Sequence, residues 1–136
     1  MRTARLLVIV LLAAGPLVVS ACGGSKADLP ALATEAADVQ PQTAITVVAD
    51  GLDFDTDTIV VPAGAGLSIT LDNQDSGTLH NISVYTESDA ERTQVYQGEL
   101  FEGEAVQTYT FTAPAAGIYL FRCDAHPDMD GALIAK

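Results

Sequence analysis

The chain has 136 residues, of which 18 are acidic and 6 basic, with 49% hydrophobic residues and two cysteines. That length allows one small domain plus an extension. The acidic excess repels nucleic acid and excludes a nucleic-acid binder, while it suits solubility and basic partners.

The chain opens with "MRTARLLVIVLLAAGPLVVSAC". Arg2 and Arg5 give a charged start, Leu6 to Val19 is apolar, and small residues Ser20 and Ala21 precede Cys22. The apolar run is shorter than the roughly 18 residues of a membrane-spanning helix. Residues 1–21 therefore read as a secretory signal peptide. Val19-Ser20-Ala21-Cys22 resembles the lipobox of bacterial lipoproteins, in which the cysteine receives a diacylglycerol and becomes the new N-terminus. The resemblance implies lipidation at Cys22. The exported protein would be held by its lipid at the outer face of the cytoplasmic membrane or in the periplasm, and would span nothing. Removal of Arg2 and Arg5 leaves 4 basic against 18 acidic residues, a formal charge of about −14.

Residues 22–42 comprise this cysteine and a tether, "GGSKADLPALATEAADVQPQ", small and polar with Pro30 and Pro41. A short helix around Leu29 to Ala37 is compatible with the sequence, but no apolar face supports it. From Thr43 the pattern changes to period two. "AITVV" puts Ile45 and Val47 on one face, and "TIVVP" is a compact β-branched run. "LSITLDN" alternates Leu67, Ile69 and Leu71 with Ser68 and Thr70. "HNISVY" sets His80, Ile82 and Val84 against Asn81, Ser83 and Tyr85. The polar stretch "TESDAERTQVYQGELFEGE" reads as a long loop between sheets. "VQTYTFTAP" sets Val106, Thr108 and Thr110 against Gln107, Tyr109 and Phe111, and "GIYLFRC" puts Tyr119, Phe121 and Cys123 on one face. "GALIA" is the last strand. Turn signals "DGLD", "PAGAG", "DNQDSG", "APAAG" and "HPDMDG" separate the runs. Seven to eight short strands in about 94 residues predict an all-β Greek-key sandwich or barrel over residues 43–136.

With Cys22 lipidated, Cys123 has no partner for a disulfide within the chain. A bare thiol outside the cytoplasm oxidises, so a solitary cysteine there asks for burial, catalysis or a metal. The stretch "CDAHPDM" places Cys123, His126 and Met129 three residues apart, and His80 opens a strand after the turn "DNQDSGT". Calcium and magnesium prefer oxygen ligands. Zinc accepts cysteine and histidine, but methionine is not among its usual ligands. Two imidazoles and a thiolate with a weak axial thioether are the type 1 copper set. Cys123 ends a strand, and the loop after it turns back to present His126 and Met129. Pro127 stiffens that loop, and Gly131 lets the chain re-enter the last strand.

"YLFRCDAHPDMDGALIA", with the upstream "HN" of His80 and Asn81, resembles the cupredoxins over roughly residues 43–136. The short C-x-x-H-P-x-M loop is most similar to that of amicyanin, and plastocyanin is another member. The resemblance implies one type 1 copper per chain, bound by His80 and His126 through Nδ1, by the Cys123 thiolate and by Met129 as a long axial ligand. It also implies that Asn81 ties the two ligand loops together by hydrogen bonds. Leu79 stands where relatives often have proline before the first histidine, a departure that touches local packing and redox tuning.

"DFDTDT" is like the start of a calcium loop, but Thr58 and Gly64 stand where an EF-hand needs glycine and glutamate. No nucleophile–base pair for hydrolysis and no paired H-x-H motif of a multicopper oxidase is present, so the chain reads as a carrier and not an enzyme. The expectation is a monomeric, lipid-anchored electron carrier. Its partner would be a redox protein, such as a cytochrome, an oxidase or a dehydrogenase, with a basic docking face. A copper delivery protein and a metal-free interaction module are the alternatives, and complete His₂CysMet ligation favours the first reading.

Overall fold

The computed structural model describes residues 28–86 and 92–136. The expected signal peptide, the lipidation site Cys22 and the start of the tether lie outside the described residues. So does part of the polar loop, residues 87–91. Among the described residues no helix is long and apolar enough to cross a membrane.

One helix and eleven strands follow one another in the described chain. They are α1 (Leu29–Glu35), β1 (Ala44–Asp50), β2 (Asp53–Phe54), β3 (Thr58–Val61), β4 (Gly66–Asn73), β5 (Leu79–His80), β6 (Ser83–Thr86), β7 (Gln94–Gln97), β8 (Phe101–Glu102), β9 (Ala105–Thr112), β10 (Gly117–Arg122) and β11 (Asp130–Ala135). Three of these, β2, β5 and β8, have two residues each, which leaves eight longer strands: seven fall on the runs read as strands, and the eighth, β7, does not. The run 80–85 does not form one strand: β5 and β6 are separate, with Asn81 and Ile82 between them. The segment expected as a long loop instead supplies β7 and β8.

The strands form two main sheets. The first has the order β2-β1-β4-β9, the second β3-β11-β10-β6-β7, and β5 pairs with β8. The β1–β4 and β3–β11 pairs are parallel and the other ladders antiparallel. β1 and β4 are parallel and close in sequence, so the chain leaves the first sheet between them, and it does so through β3 of the second sheet, as the Greek-key reading expects. The inward residues Val47, Leu67, Ile69, Leu71, Val84, Tyr109, Phe121 and Leu133 fill the space between the sheets. Gly131 is needed where β11 crosses Phe121: a Cβ there would lie 2.5 Å from the Phe121 ring and 2.6 Å from the Asp57 carbonyl oxygen.

The second sheet is apolar on its outer face as well, through Val60, Leu120, Ala132 and Ile134. Here the structure corrects the tether. Helix α1 lays Leu29, Leu32, Ala33 and Ala36 on that outer face, so it does have an apolar side and a partner for it. Asp28 caps it by accepting the Ala31 N–H at 3.2 Å. At its other end the Lys136 ammonium donates to the Ala36 and Ala37 carbonyls at 3.3 and 2.7 Å, a cation where the helix dipole favours one. The sequence hid this face because four small or medium apolar residues suffice when the opposing sheet is already apolar.

Candidate metal centre

Cys123 follows β10 directly, and its N–H donates to the Met129 carbonyl at 3.0 Å. The Met129 N–H in turn donates to the His126 carbonyl at 3.0 Å. These bonds extend the β10–β11 ladder past Arg122 and Asp130 and close the loop at its base. His126 is therefore carried on a short rigid loop whose two ends are strand ends. His80 arrives from β5, opposite Phe101 of β8.

The three groups converge. His80 Nδ1 lies 3.6 Å and His126 Nδ1 3.7 Å from Cys123 Sγ. Candidate ligand atoms of all three lie within 4.8 Å of one another. The two imidazole rings are 4.9 Å apart, tilted by 53°. His80 and Cys123 are 0% exposed and Met129 is buried, while His126 alone of the four is part-exposed. Met129 belongs to the same buried cluster as Cys123.

The tautomer of His80 follows from its other nitrogen. Nε2 lies 2.9 Å from Asp75 Oδ2, so the proton belongs on Nε2 and the Nδ1 lone pair faces the sulfur. Asp75 is itself fixed, accepting the N–H groups of Gly51 at 2.7 Å and Leu52 at 3.0 Å. The N–H groups of Leu52 and Gly51, and then the His80 ring, hold its carboxyl below the usual carboxylate range. Gly51 and Leu52 both have φ near +65°, a turn that aims successive N–H groups at one anion.

Asn81 is fully buried beside these groups. Its Oδ1 accepts the Asp124 N–H at 2.8 Å, and its Nδ2 donates to Asp124 Oδ2 at 2.9 Å and to the Gly98 carbonyl at 2.8 Å. The residue after His80 is thus bonded to the residue after Cys123, which is the bridge between ligand loops that the resemblance implies. Gly98 must be glycine there, since a Cβ would meet the Ile82 carbonyl oxygen at 2.5 Å. Asp75 and Asp124 were not singled out from the sequence. Asp75 sits in the turn "DNQDSGT" five residues before His80, and only the folded turn reveals that it reaches back to the ring.

The donor set fits a transition-metal ion. A first-row ion at about 2.3 Å from sulfur and 2.0 Å from nitrogen, with angles of about 110–120°, places S and N about 3.5–3.8 Å apart. The observed separations fall inside that range. Thiolate and two imidazoles beside a buried thioether-bearing residue are the soft set that suits copper.

Comparison with known proteins agrees. A family model described as "Cupredoxin-like domain" matches residues 17–135. Auracyanin-A of Chloroflexus aurantiacus is 26% identical over 159 aligned positions, covering 98% of both chains. The solved structure of this auracyanin A, described as a "blue" copper protein, superposes with a TM-score of 0.60 at 25% identity over 71% of this chain and 100% of the other. Reduced auracyanin from Roseiflexus castenholzii gives 0.63 at 25% identity, over 71% and 99%. Amicyanin from Paracoccus versutus gives 0.52 at 27% identity, over 74% and 88%. The short ligand loop points to amicyanin, whereas the sandwich as a whole superposes better on these two auracyanins. A match across nearly the whole length, on a sandwich that brings His80, Cys123 and His126 together, means that this chain belongs to the cupredoxin-like family.

Proposed function

We propose that this protein is a type 1 copper protein that carries single electrons between redox proteins outside the cytoplasm. The observation that carries the reading is the convergence of two imidazole Nδ1 atoms on the buried Cys123 sulfur. His80, Cys123 and His126, with Met129 beside them, would hold copper, which would supply a one-electron couple. The chain's own contribution is to keep the ligands still and dry. Two sheets, the closed 123–129 loop and the Asp75 and Asn81 hydrogen bonds hold the ligands from separate directions, so little needs to move when the charge of the site changes. The complete burial of His80 and Cys123 excludes water and protects the thiolate from oxidation. It also speaks against copper delivery, which needs an incoming ligand to reach the metal.

His126 is the way in and out for electrons, since it alone of the four is part-exposed. Ala125 and Pro127 flank it as exposed apolar surface, and Leu79 beside His80 is 47% exposed. The acidic chain then selects a partner with a positively charged docking face, such as a basic cytochrome. Lipid on Cys22 would keep the carrier at the membrane where such partners reside. Stopped-flow reduction of a basic c-type cytochrome across a salt series tests the proposal. The rate falls as salt rises, because the screening length is only about 8 Å at 0.15 M. Copper transfer to an apo acceptor without electron transfer to any redox protein would replace the carrier of electrons with a carrier of copper.

A further inference from the structure

Asp124 stands between Cys123 and His126, and its bridge to Asn81 leaves most of its carboxylate's bonding without a task. Its carboxylate collects four neutral side-chain donors. Asn81 Nδ2 at 2.9 Å, Ser83 Oγ at 2.7 Å and Gln97 Nε2 at 3.3 Å reach Oδ2, and Tyr85 Oη at 2.6 Å reaches Oδ1. They come from β6, from β7 and from the segment between β5 and β6. Among the described residues the cation paired with it is Arg122, with Nε 4.0 Å from Oδ1 and its guanidinium 4.7 Å above the Tyr85 ring. Both side chains are part-buried, but at 4.0 Å the pair makes no direct hydrogen bond, so Arg122 offsets the charge only in part. A part-buried negative charge is therefore fixed one residue from the ligand sulfur, in surroundings where the dielectric response is weaker than in water.

We propose that Asp124 is a positioning residue for the metal centre with a second, electrostatic effect. Through its two bonds with Asn81 it locks the residues after His80 and Cys123 together before any metal arrives. Through its fixed charge it favours the more positive oxidation state and holds the reduction potential down. Tyr85 tempers that charge, because its short O–H···O bond spreads the charge away from the carboxylate. The inference rests on the copper reading above.

A structural prop and a charge effect are separated by sign. In the copper-loaded protein, Asp124→Asn removes the charge and raises the reduction potential. Tyr85→Phe removes a donor, leaves the carboxylate less balanced and lowers it. Both keep the thiolate absorption, and both lower the melting temperature of the metal-free protein. Opposite shifts in voltammetry with the colour retained support the electrostatic effect; shifts of the same sign, or none, overturn it. Asn81→Ala removes both bonds of the clamp, and an unchanged metal-free melting temperature in that variant overturns it. Should Asp124→Asn fail to fold, Tyr85→Phe decides alone, and a potential that does not fall overturns the charge effect. A colourless wild-type protein with Cu(II) overturns the copper reading instead, while a lower metal-free melting temperature in the variants would still report the clamp.

Discussion

The Asp75 carboxylate links the buried His80 ring to the β1–β2 turn: Oδ2 lies 2.9 Å from His80 Nε2, and the same group accepts the Gly51 and Leu52 amides. In the proposed copper site, a ring held in this way would enter already in its binding tautomer. Asp75→Asn keeps the size and some of these contacts, yet it no longer demands a proton on Nε2. Outer partners of ligand histidines are typically worth about 10–100-fold in metal affinity. Copper affinity of this variant, measured by chelator competition, drops by about that factor. An unchanged affinity would show that the ring is oriented by packing alone.

Acid acts on the same polar frame. Burial alone would raise the Asp124 carboxyl, but hydrogen bonds from Tyr85, Asn81, Ser83 and Gln97 together outweigh it and hold it below its ordinary value. Asp75 is lowered as well. A carboxyl with a depressed folded-state pKa stabilises the fold fully above its unfolded value, about 3.9, and loses that contribution as the pH falls through the folded one. The metal-free protein should hold its melting temperature near neutral pH and lose it steeply below about pH 4. Thermal denaturation across that range checks this, and Asp124→Asn should flatten the acid limb. Identical limbs in wild type and variant would remove Asp124 from the explanation.

Helix α1 should matter to the domain although it is far from the ligands in sequence. Starting the chain at Thr43 uncovers Leu120, Ile134 and Val60, which Leu29, Leu32 and Ala36 otherwise cover. Loss of this burial costs about 2–4 kcal/mol. Denaturant unfolding of the two forms gives the number. Equal midpoints would mean that the helix does not dock in solution.

The copper reading proposes Met129 for the axial place. Met129→Leu should retain copper and raise the reduction potential, because a weak donor that favours Cu(II) is lost and nothing replaces it. Voltammetry of both proteins decides, and an equal or lower potential would remove Met129 from the axial position.

Much of the fold was legible because sheets bury alternate residues. Leu67, Ile69 and Leu71 alternate in the sequence, and they alternate in burial along β4. The strands that were missed carry no such signal: β7 lies at a sheet edge and is mostly exposed, and β8 is two residues long. His80, Cys123 and His126 could be named because few residue types make a soft metal set. Asp75 and Asp124 could not, because an acidic chain offers many carboxylates, and only the fold shows which two find buried donors beside a ligand.

The most direct measurement is the visible absorption spectrum of the purified protein with one equivalent of Cu(II), beside that of Cys123→Ser. Wild type should show an intense band from thiolate-to-copper charge transfer that bleaches on reduction, and the variant should lack it. A wild-type protein that binds Cu(II) and stays colourless would contradict the assignment of Cys123 as a copper ligand, and with it the type 1 centre.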